Sequence, residues 1–180
     1  VQSNFGLVTT GQIADLESHI NDIDFIRSAE IEREIKHDLM AELKTYAEQC
    51  PLGGRVLHLG ATSMDIEDNA DALRLRDGLD LILGKLLQVI LDLGHLIDKY
   101  ADTPVMAFTH LQPAEPSTLG YRFAIYAQDL LADHQSLLEI RKKELRGKGF
   151  KGAVGTRASY AELIGIDRLE EFEKQLSGEL

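Results

Sequence analysis

Thiols are nearly absent: Cys50 is the single cysteine in 180 residues. One cysteine excludes an intrachain disulfide framework and any zinc cluster built on several thiolates, and it fits a reducing, cytoplasmic setting. Positive charge is also scarce, with 19 Lys plus Arg against 30 Asp plus Glu and a net charge of −11. A surface that negative repels phosphate backbones and anionic lipid, which disfavours nucleic-acid and membrane-surface partners. No uncharged apolar run approaches the ~20 residues that a membrane span needs. No signal peptide is expected at the start. Val1 stands first where Met would open a nascent chain, so a processed chain or a piece of a longer one is expected. Turn signals are few: the prolines are Pro51, Pro104, Pro113 and Pro116, and glycines gather at 53–60 and 147–155.

What remains is a globular balance, 44% hydrophobic and 27% charged, with enough length for one domain and a sizeable core. Between the turn signals the text reads as helix. Ile23, Ile26, Ile31, Ile35, Leu39 and Leu43 recur at helical spacing, predicting one or two amphipathic helices from Thr10 to Ala47. From Asp65 to Tyr100 the residues Leu75, Leu79, Ile82, Leu86, Val89, Leu93, Leu96 and Tyr100 step by alternating fours and threes, a heptad seam. Leu83, Leu87, Ile90 and Ile97 add a second stripe beside it. A helix that long and apolar on more than one face needs partner helices from other chains. Thr103 to Pro116 reads as a proline-rich loop, and a second long helix is predicted from Ser117–Thr118, either of which can cap it, to about Lys148. A shorter helix is expected from Asp167 to Leu176. The predicted class is all-α, a long-helix bundle, with no strand and no internal repeat.

Four stretches could carry chemistry. Lys36-His37-Asp38 flanks an imidazole with both signs of charge inside a predicted helix, where a solvated face is the simpler reading. His58-Leu59-Gly60-Ala61-Thr62-Ser63 delivers two hydroxyls to the start of the long helix. Unpaired amides and the helix dipole make that place an anion site, although Thr62 or Ser63 could simply cap the helix. In Thr109-His110-Leu111-Gln112-Pro113 a histidine stands on a stiff loop before a capped helix, suited to proton transfer or exposed without a role. Six of the 19 basic residues fall between Arg141 and Lys151, ahead of the glycines of Gly152-Ala153-Val154-Gly155. Those glycines free backbone amides to approach an anion, but the spacing is not that of a Walker loop. Histidines, hydroxyls and amides at helix ends are what elimination chemistry on a multi-anionic substrate needs.

In order along the chain stand His37-Asp38, His58-Leu59-Gly60-Ala61-Thr62-Ser63 with Asp68-Asn69 after it, Thr109-His110-Leu111-Gln112-Pro113-Ala114, and Lys151-Gly152-Ala153-Val154-Gly155-Thr156. From about Leu7 to the end this resembles the fumarase/aspartase superfamily, and within it the adenylosuccinate lyase family. The resemblance implies a cytoplasmic carbon–nitrogen lyase of purine and AMP biosynthesis, releasing fumarate from adenylosuccinate and from the succinylated aminoimidazole carboxamide ribotide. It implies no metal or organic cofactor, and a homotetramer whose active sites each draw on three subunits. It divides the chain into residues 1–64, the C-terminal part of an N-terminal helical domain, and 65–180, the first part of a central long-helix bundle.

Carried over by position, His110 matches the general acid that protonates the departing nitrogen, with Gln112 beside it. Thr62 and Ser63 match residues that hold the succinyl carboxylates. Lys36, His37 and Asp38 match a substrate-contacting triplet in which arginine is more usual at the first position, and His58 matches a histidine near the site. Arg157 stands where related enzymes often carry a substrate-contacting glutamine. The family's mobile signature loop, whose serine is the catalytic base, and its Arg-Tyr phosphate clamp are not among these residues. The expectation is therefore a catalytically silent piece of the enzyme, in which His37 and His58 are the only nearby candidates for a base. Two alternatives stay open: another lyase of the superfamily (argininosuccinate lyase, aspartase or fumarase), or a helical oligomerisation module without turnover.

Overall fold

The computed structural model describes residues 1–179. Its α-helices are α1 (Thr10–Ser18), α2 (Phe25–Ile35), α3 (Asp38–Gln49), α4 (Ser63–Lys99), α5 (Leu119–Lys143), α6 (Ala158–Ile164) and α7 (Leu169–Glu179). Strands β1 (Pro104–Thr109) and β2 (Gln112–Thr118) lie between α4 and α5, and 3₁₀ turns occupy Gln2–Phe5, Gly54–Val56 and Ile166–Arg168. The class is helical as predicted, with one small sheet added. No helix among the described residues is long and apolar enough to cross a membrane.

The chain forms two compact units: residues 1–71 with 147–180, and residues 72–146. In the first, the core is built by Phe5, Tyr160, Ile164, Leu169 and Phe172, so the beginning and the end of the sequence pack together. Phe5 meets Phe172 edge-on at 5.5 Å, and Tyr160 lies 4.7 Å from Phe172. Gly60 sits in this region with φ +75°, and a Cβ there would stand 2.9 Å from both Leu163 and Tyr160. Only glycine satisfies the backbone angle and the close approach together.

The stretch predicted as one or two helices between Thr10 and Ala47 is three. His19 ends α1, and Asp24 starts α2 by accepting from the Arg27 amide at 2.9 Å. The second break falls within Lys36-His37-Asp38, which sequence spacing places inside a helix. Lys36 instead takes the left-handed C-cap of α2 (φ +56°), and His37 is the extended N-cap of α3. Left-handed caps are usually glycine. A lysine there leaves no signature in the sequence. Arg27 joins α2 to α3 through two 2.9 Å bonds to Glu48, an exposed pair that adds little stability.

In the second unit, α4 continues from the first and runs on into the hairpin. The segment from Thr103 to Pro116, read as a loop, holds an antiparallel hairpin that pairs Val105 with Ser117, Met106 with Pro116 and Phe108 with Pro113. The register shifts between Met106 and Phe108, where Ala107 faces both Ala114 and Glu115. Such a bulge, and the two open edges of a two-stranded sheet, accommodate prolines that a central strand would not. Helix α5 begins as predicted, with the Thr118 hydroxyl accepting from the Tyr121 amide at 3.1 Å, but ends at Lys143 rather than near Lys148. Gly120 lets α5 leave close to α4: a Cβ would fall 2.6 Å from the Ile97 carbonyl.

Candidate active site

Five non-glycine residues among those described have a positive φ: Lys36, His58, His110, Leu111 and Arg157. Four of them are site candidates from the sequence. Each such conformation costs of order 1–3 kcal/mol and persists only where the surroundings enforce it, commonly at functional sites. Strain and the candidate positions coincide here.

In the first unit the chain brings His37 to the start of α4. His37 Nε2 lies 3.4 Å from the Ser63 hydroxyl. On its other side, Nδ1 is 3.2 Å from the Asp38 carboxylate and 3.5 Å from the Met40 amide. With Nδ1 protonated toward Asp38, Nε2 accepts the Ser63 hydroxyl. With Nδ1 accepting from Met40, Nε2–H donates to Ser63 Oγ instead. Either way the imidazole is oriented by α3 and aimed at a hydroxyl on the first turn of α4. Lys36 is exposed beside it.

The start of α4 is held by an acidic side chain that the reading of Thr62 or Ser63 as caps leaves out. The Thr62 amide donates to the carboxylate of Asp65, three residues on, at 3.1 Å. That is the reciprocal half of a capping box, with the acidic residue at the third helical position. The same carboxylate, with 0% exposure, accepts from Lys148 Nζ at 3.0 Å, the Lys151 amide at 3.1 Å and the Gly152 amide at 2.9 Å. Burial pushes its pKa up, but the Lys148 ammonium and the three amides outweigh burial and hold it below the usual carboxylate range. Asn69, one turn along α4, pairs with both the amide and the carbonyl of Gly149.

The amides that the glycines of this loop were expected to offer to an outside anion are thus taken, in part, by an internal one. The basic run before them is largely occupied as well. Arg141 binds Asp80 at 2.7 and 3.0 Å, Lys143 pairs with Glu139, and Arg146 donates to the Lys143 carbonyl. Asp65 is the residue that sequence reasoning missed. An acidic side chain three positions after Thr62 was the available signal.

His58 is left-handed (φ +62°), and its Nδ1 is buried with no hydrogen-bond partner among the described residues. It lines a cavity of about 490 Å³ with Val8, Ile13, Leu16, Phe150 and Phe172. Arg157 is the left-handed N-cap of α6, and its guanidinium donates to Glu173 at 3.2 Å.

His110 and Gln112 belong to the second unit. Thr109 pairs with Gln112, so His110 and Leu111 form a two-residue hairpin turn with φ +48° and +61°. Both angles positive is the geometry of a type I′ turn, which normally selects Asn-Gly. His110 is exposed at the tip, and Leu111 is 94% exposed. At the base of the hairpin Arg122 donates to the Met106 carbonyl at 2.9 Å.

The Lyase family model matches residues 13–179. The chain is similar to adenylosuccinate lyase of Schistosoma mansoni, 38% identical over 176 residues, which are 95% of this chain and 37% of that protein. It is also similar to adenylosuccinate lyase of Saccharomyces cerevisiae, 35% identical over 175 residues, 95% of this chain and 36% of that protein. Among solved structures it resembles a fumarate lyase from Mesorhizobium sp. BNC1, with a TM-score of 0.84 at 28% identity, covering 99% of this chain and 41% of that one. The chain therefore spans little more than a third of the length of these curated relatives. With a family model matched from residue 13 to residue 179, a superposable lyase backbone and the superfamily's motifs in order, the chain belongs to the lyase family.

Proposed function

We propose that the protein to which this chain belongs is a carbon–nitrogen lyase that eliminates fumarate from adenylosuccinate and from the succinylated aminoimidazole carboxamide ribotide. The observation that carries the reading is the meeting of His37 with Ser63, two motifs of the resemblance distant in sequence, at the N-terminus of α4. The names of the similar proteins support the choice of substrate.

In this reading the succinyl carboxylates bind at the helix start, where the Thr62 and Ser63 hydroxyls and the positive end of the dipole favour anions. His37, oriented by Asp38, holds the Ser63 hydroxyl in place, and Lys36 adds positive charge. His110, on the strained tip of the hairpin, protonates the nitrogen as the C–N bond breaks, with Gln112 contacting substrate from the same turn. The base that takes the carbon-bound proton is supplied by the family's signature loop, outside these residues. His58 and Arg157 complete the substrate contacts. The chemistry is proton transfer and C–N cleavage, and it calls on no metal or organic cofactor.

The enzyme acts in the cytoplasm as a homotetramer with shared sites, and residues 65–180 open its central bundle. The apolar residues Leu75, Leu81, Ile82, Leu87 and Val89, each between 46% and 69% exposed on α4, support association. Monomers usually expose contiguous apolar patches of no more than a few hundred Å². Sedimentation of the 180-residue chain tests this point, and a stable monomer would count against it. The reaction is tested by assaying the full-length protein with adenylosuccinate, argininosuccinate, aspartate and malate, following fumarate. Turnover confined to one of the last three would reassign the substrate. No turnover of any would leave the oligomerisation module.

A further inference from the structure

Asp65 is the only charged side chain in the core among the described residues. A buried carboxylate is costly by several kcal/mol unless every lone pair is met. Here the donors come from two segments far apart in sequence. Oδ2 holds the Thr62 and Gly152 amides, and Oδ1 holds Lys148 Nζ and the Lys151 amide. The 147–157 segment has few bonds of its own: Gly155 donates to the Gly152 carbonyl at 3.4 Å and Arg157 to the Lys151 carbonyl at 2.9 Å. Gly149, Gly152 and Gly155 are all left-handed. Such a segment has high conformational entropy unless something outside it fixes it. The remaining donor, sharing Oδ2 with the Gly152 amide, is the amide of Thr62, next to the Ser63 that meets His37.

We infer that Asp65 is a positioning residue for the carboxylate-binding turn: one buried carboxylate fixes the Thr62 backbone against the Lys148–Gly152 segment and so sets where the Thr62 and Ser63 hydroxyls stand. The inference rests on the reading of those hydroxyls as ligands of the succinyl carboxylates. Asp65 itself touches no substrate. Its effect passes through the turn, so it belongs in binding more than in the chemical step.

The test uses the full-length protein and its Asp65→Asn variant, which keeps the shape of the side chain and removes the charge. KM for adenylosuccinate and the inhibition constant of fumarate are expected to rise about tenfold or more, with kcat changed less than KM. Adding Asp65→Asn to Thr62→Ala/Ser63→Ala should raise KM little beyond the double variant alone, because residues acting as one unit are not additive. Hydrogen exchange at the Lys151 and Gly152 amides should speed up. If Asp65→Asn fails to fold, Lys148→Met serves, since Lys148 is part-exposed and its loss leaves the amides in place. It should raise KM about threefold. A lowered melting temperature with unchanged KM and fumarate affinity would make Asp65 a fold staple only and overturn the inference. If Thr62→Ala/Ser63→Ala raises KM and the Asp65 and Lys148 variants do not, positioning fails while the carboxylate reading stands. If none of them moves KM, both fall.

Discussion

The Ser63 hydroxyl stands 3.4 Å from Nε2 of His37, across 26 positions of sequence. Because the ring's other nitrogen faces both Asp38 and the Met40 amide, the direction of the Ser63 proton follows the histidine tautomer. Ser63 can thus present a lone pair or a proton to a ligand without moving. This also separates two roles for a helix-start hydroxyl. The amide of the turn is held by Asp65, so the placing of the turn and the work of its hydroxyls can be tested apart.

With Thr62 and Ser63 as carboxylate ligands, replacing both with alanine is expected to weaken fumarate and substrate binding at least about tenfold while costing less than about 1 kcal/mol of stability, the usual worth of a side-chain cap. Calorimetric melting and inhibition measured on the same double variant decide it. Unchanged binding with a stability loss of about 1–2 kcal/mol would return both residues to capping.

His110→Gln in the full-length enzyme should lower kcat by roughly a hundredfold or more, the worth of a positioned acid, without changing the assembly. Steady-state kinetics beside size-exclusion chromatography measure both. Near-normal turnover would remove His110 from the acid role.

The sequence makes the long elements of the fold legible. The heptad seam locates α4, and the Thr118 cap locates the start of α5. The hairpin between them is hidden by its own chemistry. Three prolines argue against strands, and His110-Leu111 lacks the Asn-Gly that a two-residue turn normally shows. The break at Lys36 is hidden for a similar reason, since a left-handed lysine looks like helix text. Motif order supplies the site candidates, but not how they are held. That depends on Asp65 meeting Lys148, 83 positions away, a pairing that no local pattern encodes.

Tyr160 is 1% exposed, and its hydroxyl is buried with no partner among the described residues. Burial first, and the nearby Asp65 charge second, push its pKa above the usual phenol range. An unpaired buried hydroxyl costs about 1–3 kcal/mol. Tyr160→Phe is therefore expected to leave stability unchanged or to raise it by about 1 kcal/mol in chemical denaturation. A clear loss would reveal a partner for the hydroxyl.

Asp65 also predicts an acid limit. A carboxyl whose pKa is lower in the folded than in the unfolded chain contributes stability above its unfolded value, about 4, and loses it as pH falls through the depressed folded value. Stability should thus decline below about pH 4, and the decline should be shallower in Asp65→Asn. Asp15, lowered chiefly by the Gly53 amide, and Asp80, lowered chiefly by Arg141, keep some slope in the variant. Equal slopes from pH 5 to pH 3 in urea titrations would contradict the assignment.

The first unit closes only when its two ends meet, and this has a consequence for the order of events on the ribosome. Phe5 packs on Phe172 in the cluster that also holds Tyr160, and the Asn4 side chain bonds to Gln175, 171 positions later. At ~5–20 residues per second, the opening segment waits on the order of ten to thirty seconds for its partners to be made. Meanwhile residues 72–146, with most of α4, the hairpin and α5, are complete as the second unit. The exposed apolar face of α4 is therefore synthesised and folded well before the N-terminal core exists, which makes it the surface most in need of a chaperone or a sister chain during translation.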